Sequence, residues 1–384
     1  MRQSLANKPA VDRRAHLIYC LHEHFIAIRQ WSLAMLEKNA FPAALCLGAL
    51  FCLTACSPFA HLTEIDNTLG EAHGPKATDC GQCHIEQFDE WQSSAHAQAF
   101  MNPRFQTALA DGADDSCLGC HVPDTVRTNG EPPAPRRYNR QDGVSCAACH
   151  LSQGAMTGPE PKSALFSPHP VAVHPDFFHN SDICGTCHTE TLADWQTSRG
   201  THPATPTCQE CHMPQIVRTA TKGSNLFSKV LVAFEDSHST RRHTFGFGHL
   251  AGTSGLIDIK LLGWQPEKRG QLQLSVRNLL PHTLPTGSFR SRRIWINATL
   301  HTKPKTVLEP SFFLAHGWTV LAGDGLPALA ADKTRTLTIP FVFAPDAKSL
   351  PPAELLTVQV MLGPLAEEEE LLLLRKEFIL PVSR

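Results

Sequence analysis

Five copies of the pattern Cys-x-x-Cys-His use ten of the 14 cysteines in this 384-residue chain. Each copy offers two thiols and an adjacent imidazole, which together can bond the vinyl groups of one porphyrin and ligate its iron. Thioredoxin-like and zinc-binding sites also use Cys-x-x-Cys, but they need no histidine after every copy. The pattern therefore predicts five covalently attached haem c groups. The predicted thioether residues are Cys80, Cys83, Cys117, Cys120, Cys146, Cys149, Cys184, Cys187, Cys208 and Cys211, and the proximal iron ligands are His84, His121, His150, His188 and His212.

A low-spin haem iron needs a second axial ligand, usually His or Met. Thirteen histidines follow Cys56 outside the patterns, more than the five required. Some follow a tryptophan that can pack on a macrocycle, and others lie in segments without core-like periodicity. The predicted distal candidates are His96, His174, His202, His238, His243 and His249, with His169 as a further candidate. We expect His282, His301 and His316, which lie in strand-like sequence, to be surface residues.

An internal repeat surrounds two of the patterns. Residues 80–94, "CGQCHIEQFDEWQSS", align without gaps to residues 184–198, "CGTCHTETLADWQTS", and eight of the fifteen positions are identical. The segments after the two patterns are predicted to be short helices, with Trp91 and Trp195 equivalently placed.

The chain changes character near residue 258. Residues 79–257, the haem region, hold all five patterns and show little sustained hydrophobic periodicity. With so few residues for each pattern, the macrocycles must supply the interior. Residues 258–384, the β-region, contain short runs such as "QLQLSVRN" in which apolar and polar residues alternate between Pro/Gly turns. Such runs are typical of an antiparallel β-sandwich. The predicted class is α+β, with a loop and short-helix haem domain followed by a sandwich-like domain.

The N-terminus resembles an export signal. Residues 41–55, "FPAALCLGALFCLTA", are apolar but too short to span a membrane, and "LTAC" ending at Cys56 looks like a lipobox. We therefore expect a leader over residues 1–55, a lipidated Cys56 and a tether over residues 56–78, with the anchor in the outer membrane. Met35 is the expected start of translation; a leader peptide mapped to Met1 would contradict this.

Composition excludes one class of partner. The formal net charge is −2 and only 18% of residues are charged, so no polycationic surface suits nucleic acid. The expected partners are other redox proteins and, through Cys56, a membrane, with self-assembly as an open alternative.

Several quoted segments resemble a known superfamily. "CGQCHIEQFDEWQSSAHAQAF", "GVSCAACH" and "CQECHMP" resemble the multihaem cytochromes c that include the tetrahaem partner of hydroxylamine oxidoreductase. "RHTFGFGH" and "NLLPHTLPTG" resemble exported multihaem cytochromes with a C-terminal β-domain. The likeness covers about residues 79–300. It implies closely stacked, mostly bis-His haems, with His96 and the 238–249 segment as ligand donors. This chain differs in having five patterns rather than four and an added β-domain.

Three functions are compatible with these residues. The leading hypothesis is an exported carrier that passes single electrons between redox proteins. An oxidoreductase acting on a small nitrogen or sulfur compound would need one haem with an open coordination position. All five patterns end in His, whereas related nitrite reductases have Lys at the active haem, and Tyr138 precedes the third pattern, the wrong order for a hydroxylamine oxidoreductase. The third hypothesis is a structural subunit of a larger cytochrome conduit or filament.

Overall fold

The structure is a computed structural model that describes residues 74–128, 131–161, 167–223, 229, 232, 235–246, 255–265, 271–286, 293–301, 313–322, 326–341, 354–363 and 371–380. The predicted leader, Cys56, most of the tether and His249 lie outside the described residues. The described residues belong to one compact unit, residues 68–384. The boundary between residues 257 and 258 stays a prediction.

Short helices carry or adjoin the five patterns. They are α1 (Ala77–Cys80), α2 (Ile85–Gln92), α3 (Pro103–Ala110), α4 (Ser116–His121), α5 (Cys146–His150), α6 (Pro175–His179), α7 (Asp182–Gly185), α8 (Thr189–Thr201) and α9 (Cys208–His212), with a 3₁₀ turn at Arg140–Asp142. Local sequence sets their ends. Thr207 caps α9 by accepting from the backbone N–H of Glu210, whose carboxylate accepts the N–H of Thr207. Asn102 caps α3 by accepting the backbone N–H groups of Arg104 and Phe105 with its side-chain oxygen, and Pro103 lies at the first helical position.

Two small sheets tie loops of the haem region together. Strands β1 (Leu151–Ser152), β2 (Ala155–Gly158) and β3 (Val171–Val173) form one sheet, in which β1 and β2 are antiparallel and β2 and β3 are parallel. Strands β4 (Gln215–Arg218) and β5 (His238–Arg241) form an antiparallel ribbon directly after the fifth pattern. The ribbon brings Arg218 beside Arg241 and so places two cations next to the attachment helices.

The β-region consists of two antiparallel sheets. Its strands are β6 (Ile257–Gln265), β7 (Gln271–Asn278), β8 (Arg293–His301), β9 (Phe313–Ala322), β10 (Thr334–Pro340), β11 (Leu355–Gly363) and β12 (Leu371–Ile379). The strand orders are β10-β7-β6 and β12-β11-β8-β9. Along β7, buried residues alternate with more exposed ones, so Leu272, Leu274 and Val276 share one buried face. This alternation is the reason that the segment forms a half-buried strand.

The apolar core is unevenly distributed. In the β-region one large cluster joins residues of both sheets, among them Leu274, Ile296 and Val360. In the haem region the corresponding clusters are much smaller, one around Trp91 and another around Phe105. The β-region therefore has a core made of side chains, whereas the described haem region has little of one.

The fold class agrees with the sequence. Helices and antiparallel sheets confirm the α+β prediction. Within the part of the chain that the structure describes, no helix combines the length and apolar character needed to cross a bilayer.

Candidate haem-attachment sites

The proximal histidines are oriented by backbone carbonyl groups. A carbonyl oxygen can only accept a hydrogen bond, so an imidazole Nδ1 beside it carries the proton, and Nε2 then carries the lone pair that a metal needs. These bonds join Nδ1 of His84 to Ala220 O at 2.8 Å, of His121 to Ala99 O at 2.6 Å and of His150 to Thr157 O at 2.7 Å. At least three of the five patterns therefore have an imidazole fixed in the tautomer that suits iron ligation.

Four of the proximal histidines face a second histidine. The ring centroids lie 6.4 Å apart for His84 and His169, 6.2 Å for His188 and His96, 6.1 Å for His150 and His243, and 6.5 Å for His212 and His282. A metal ion bound by a ring nitrogen on each side, with metal–nitrogen distances of about 2.0 Å, would place two imidazole centroids roughly 6 Å apart. Direct stacking would bring the rings closer. The spacing therefore fits an iron between each pair.

Burial favours the neutral form of five of these imidazoles. It lowers the pKa of His84, His150 and His282. Burial together with the charge of the facing histidine lowers the pKa of His96 to about 4 and that of His243 to about 3. A neutral imidazole has a lone pair to offer a metal. The opposed imidazoles and adjacent paired thiols of these patterns therefore form a donor set that fits haem c.

The second pattern has different surroundings. The His121 ring stacks on Phe105 with centroids 3.7 Å apart and planes 3° from parallel. Two contacts therefore fix the His121 imidazole: the Phe105 ring stacked on its face and the hydrogen bond from its Nδ1 to Ala99 O. The distal ligand of this pattern stays a prediction. One sequence candidate, His249, lies outside the described residues.

The structure separates the distal candidates into two groups. His96 and His243 each face a proximal histidine, as does the further candidate His169. His174 and His202 have exposed side chains, and the Nδ1 of His202 shares a hydrogen bond with the Thr201 hydroxyl at 2.9 Å. His238 lies on strand β5 with its Nδ1 3.3 Å from the carbonyl oxygen of Asp236. Ligation itself stays a prediction for all of them.

The expectation that His282 is a surface residue is wrong. Its side chain is half-buried and faces His212 of the fifth pattern. His282 lies in the turn after β7, and only the folding of that turn against α8 brings it to the pattern. The sequence signal that could have identified it is the short "PHTLPTG" turn, which interrupts the strand pattern with an imidazole between two prolines.

Residues around His96 and His243 fix their positions. The carbonyl of His96 accepts the N–H of Val144 at 2.9 Å, and Gly143 approaches so closely that a Cβ there would lie 2.4 Å from this oxygen. Gly143 also has a φ of +54°, which favours glycine. The Glu90 carboxylate accepts the N–H of His243 at 2.9 Å and both terminal nitrogens of Arg218 at 2.8 and 2.9 Å.

Thiols of different patterns come into contact. A hydrogen bond to Cys146, together with burial, raises the pKa of Cys80. A hydrogen bond to Cys208, together with burial, raises the pKa of Cys184. A hydrogen bond to Cys120, together with burial, raises the pKa of Cys187. The first pattern therefore adjoins the third, and the fourth adjoins both the second and the fifth.

The internal repeat is a repeat of structure as well. The buried Trp91 on α2 donates its indole N–H to Val144 O at 2.8 Å, and the buried Trp195 on α8 donates to Pro206 O at 2.7 Å. Each acceptor lies two positions before the first cysteine of a later pattern, Cys146 or Cys208. Two equivalent modules result, one joining the first and third patterns and one joining the fourth and fifth.

Part of this chain is similar in sequence to known cytochromes. A family model described as "Cytochrome c554 and c-prime" matches residues 79–151, which include the first three patterns. Cytochrome c-554 of Nitrosomonas europaea is 30% identical over 132 residues, covering 28% of this chain and 54% of that protein. The chain therefore spans about half the length of this curated relative.

Two solved structures show weaker likeness. A penta-heme cytochrome c552 from Thermochromatium tepidum has a TM-score of 0.49 and 18% identity, covering 80% of this chain and 100% of that chain. A β-glucosidase from Kluyveromyces marxianus has a TM-score of 0.18 and 16% identity, covering 35% of this chain and 15% of that chain. Both TM-scores lie below 0.5, so neither likeness contributes to the assignment of the sites.

Proposed function

We propose that this chain is a multihaem c-type cytochrome that holds five haem c groups and passes single electrons between redox proteins. The match of residues 79–151 to the family described as "Cytochrome c554 and c-prime" and the 30% identity to a cytochrome c-554 support this proposal. Haem iron supplies reversible one-electron transfer when it is bound. The five Cys-x-x-Cys-His patterns support the number of groups. The observation that favours an electron carrier is the four opposed histidine pairs, whose ring centroids lie 6.1 to 6.5 Å apart. An iron ligated on both faces has no position left for a substrate, which favours a carrier over an enzyme.

The protein's own contacts support an order of electron exchange. Cys80 contacts Cys146, Cys187 contacts Cys120, and Cys184 contacts Cys208. The hydroxyl of Thr186, in the fourth pattern, donates to Val126 O at 3.3 Å, and the N–H of Val126 donates to Ala148 O, in the third pattern, at 2.9 Å. These bonds bring the third pattern near the fourth. The proposed route therefore runs from the first pattern to the third, the fourth and the fifth, with the second as a branch at the fourth.

The second pattern needs its own distal ligand in this proposal, and we assign His249. It is a sequence candidate, and the described candidates His96 and His243 already face other patterns. Replacing His249 by Ala tests the assignment because the low-spin signal of one haem should then be lost. An unchanged spectrum would exclude His249.

Location and partners follow from the sequence. The proposed outer-membrane anchor is the lipidated Cys56, and the partners are donor and acceptor redox proteins that dock through small, transient contacts. The mass of the N-terminal peptide of the exported protein tests the anchor, because a diacylated Cys56 and an unmodified terminus differ by hundreds of daltons.

The test of the carrier function is spectroscopic. We would count the haems of the purified protein by the pyridine haemochrome method, record low-temperature electron paramagnetic resonance of the oxidised form, and add carbon monoxide to the reduced form. Five haems per chain, low-spin signals and no carbon monoxide adduct are expected. A high-spin signal near one fifth of the iron with a matching adduct would overturn the proposal in favour of an oxidoreductase with one open haem.

A further inference from the structure

The turn after β7 carries an imidazole out of the β-region to the fifth pattern. His282 faces His212 with ring centroids 6.5 Å apart and planes 26° from parallel. Its own Nδ1 lies 3.0 Å from the carbonyl oxygen of Thr283, which leaves Nε2 free for a metal. Three of the four facing histidines, His96, His169 and His243, lie in the haem region, so His282 differs from the others in its origin.

The β-region fixes one side of this turn. Asn278, fully buried at the end of β7, donates its side-chain amide to His282 O and to Leu329 O, each at 2.9 Å. Its amide oxygen accepts the N–H of Leu280 at 3.0 Å. A buried amide with this many partners determines the path of the chain from β7 to His282.

Helix α8 fixes the other side. One oxygen of the Asp194 carboxylate accepts both the backbone N–H of Thr283 at 3.1 Å and its hydroxyl at 2.7 Å. One turn earlier on the helix, the Thr191 hydroxyl is hydrogen-bonded to that of Thr286 at 2.7 Å. A carboxylate is a strong acceptor, so the bonds to Thr283 fix the residue directly after His282.

The internal repeat supplies a second case of the same arrangement. Asp194 occupies the repeat position that Glu90 holds on α2. The Glu90 carboxylate accepts the backbone N–H of His243, which faces the third pattern. In each module, the acidic residue just before the tryptophan holds the segment that supplies a facing histidine to the module's second pattern. The segments that contain His243 and His282 are unrelated in sequence. The repeated arrangement is therefore a property of helices α2 and α8.

We propose that His282 is the sixth iron ligand at the fifth haem and that Asp194 is a positioning residue that holds it there through Thr283. The β-region is then part of the coordination of one haem, rather than an appended domain. This inference rests on the proposed function, because it needs a haem at Cys208 and Cys211. Displacement of the turn after β7 would open this haem and leave the three other opposed histidine pairs in place.

Substitution of the ligand tests the first half. In the purified holo-protein, His282→Ala should convert about one fifth of the iron from low-spin to high-spin and create one carbon monoxide site per chain. Added imidazole should restore the low-spin signal by occupying the vacated position. His282→Met, which keeps a ligand, should stay low-spin and raise the reduction potential of one haem, since Met/His ligation favours the reduced state.

Substitution of the positioning residue tests the second half. Asp194→Ala should raise the high-spin fraction and the carbon monoxide uptake less than His282→Ala does, and should not add to it in the double variant. Asp194→Asn keeps an acceptor oxygen and should remain close to the unchanged protein. Glu190→Ala alters an exposed carboxylate on the same helix and is the matched control.

The outcomes separate the two proposals. Unchanged low-spin spectra in His282→Ala would overturn the inference while the carrier function stands. A protein with fewer than five haems would overturn the proposed function. Should His282→Ala fail to load haem, His282→Met and Asp194→Ala still decide, because an unchanged potential in the first and an unchanged spin state in the second would overturn the inference.

Discussion

Glu90 shows how single carboxylates hold the ligand-bearing segments. Its side chain and that of Arg218 are only 11% and 7% exposed, and their bidentate bond is joined by Arg242 and by the N–H of His243. Burial alone would raise the pKa of Glu90, but the hydrogen bonds from Arg218 and His243 hold it below its usual value. The carboxylate therefore stays ionised and accepts hydrogen bonds from the Arg218 guanidinium and from the backbone N–H of His243.

Removal of this carboxylate should be costly. Glu90→Ala leaves the buried Arg218 guanidinium without its main partner, and we expect the free energy of unfolding to fall by about 3 kcal/mol. Denaturation of the holo-protein followed by far-ultraviolet circular dichroism measures this. Glu377→Ala, which removes an exposed ion pair with Arg375, is the control and should cost less than about 1 kcal/mol. Equal losses in the two variants would contradict the assigned role of Glu90.

Helices α2 and α8 act as equivalent elements. Gly81 and Gly185 hold the same repeat position, and a Cβ at either would overlap the side chain seven positions later, Phe88 or Leu192. Each helix then docks its tryptophan on the backbone just before a later pattern. The helix thus sets the distance between two attachment sites that are separated by other chain segments.

The equivalence predicts equal effects of equal substitutions. Trp91→Phe and Trp195→Phe each keep a ring but remove the part-buried hydrogen bond to Val144 O or Pro206 O. Each should lower the free energy of unfolding by about 1 kcal/mol, measured by the same denaturation. Trp264→Phe, in a strand outside the repeat, is the comparison and should leave the spectra of the haems unchanged. A loss at only one of the two repeat positions would show that the modules differ.

The whole molecule has two kinds of interior. The β-region buries a continuous cluster of side chains across both its sheets, whereas the haem region has small clusters around Trp91 and Phe105. Hydrophobic stabilisation scales with the apolar area buried, so the haem region depends on the groups that it attaches. The two regions should consequently respond differently to the loss of haem.

The chain with all ten pattern cysteines changed to Ala should keep only its β-region folded. We expect far-ultraviolet circular dichroism to lose the helical signal, and limited proteolysis followed by mass spectrometry to yield a protected fragment that starts near Ile257 and contains β6 to β12. Uniform digestion of the β-region, or retention of full helical signal, would contradict this division.

The attachment chemistry is predicted from the sequence alone, because the two thiols and the proximal imidazole of each pattern lie within five consecutive residues. The sequence also predicts the α+β class and the repeat, since both rest on local pattern and composition. Strand β7 followed directly from its alternation of apolar residues.

Tertiary structure decided which histidines face each other. The paired residues are 70 or more positions apart, so their meeting depends on the packing of the whole chain and not on spacing. His96 could be proposed because it closely follows Trp91, and His243 because its segment has no core-like periodicity. The neighbours of His282 predict strands and hence a surface position. The bonds that Thr283 donates to Asp194 and that Asn278 donates to His282 O hold it toward His212 instead. A histidine that one folding region presents to another leaves little local signal, and here that signal is the "PHTLPTG" turn alone.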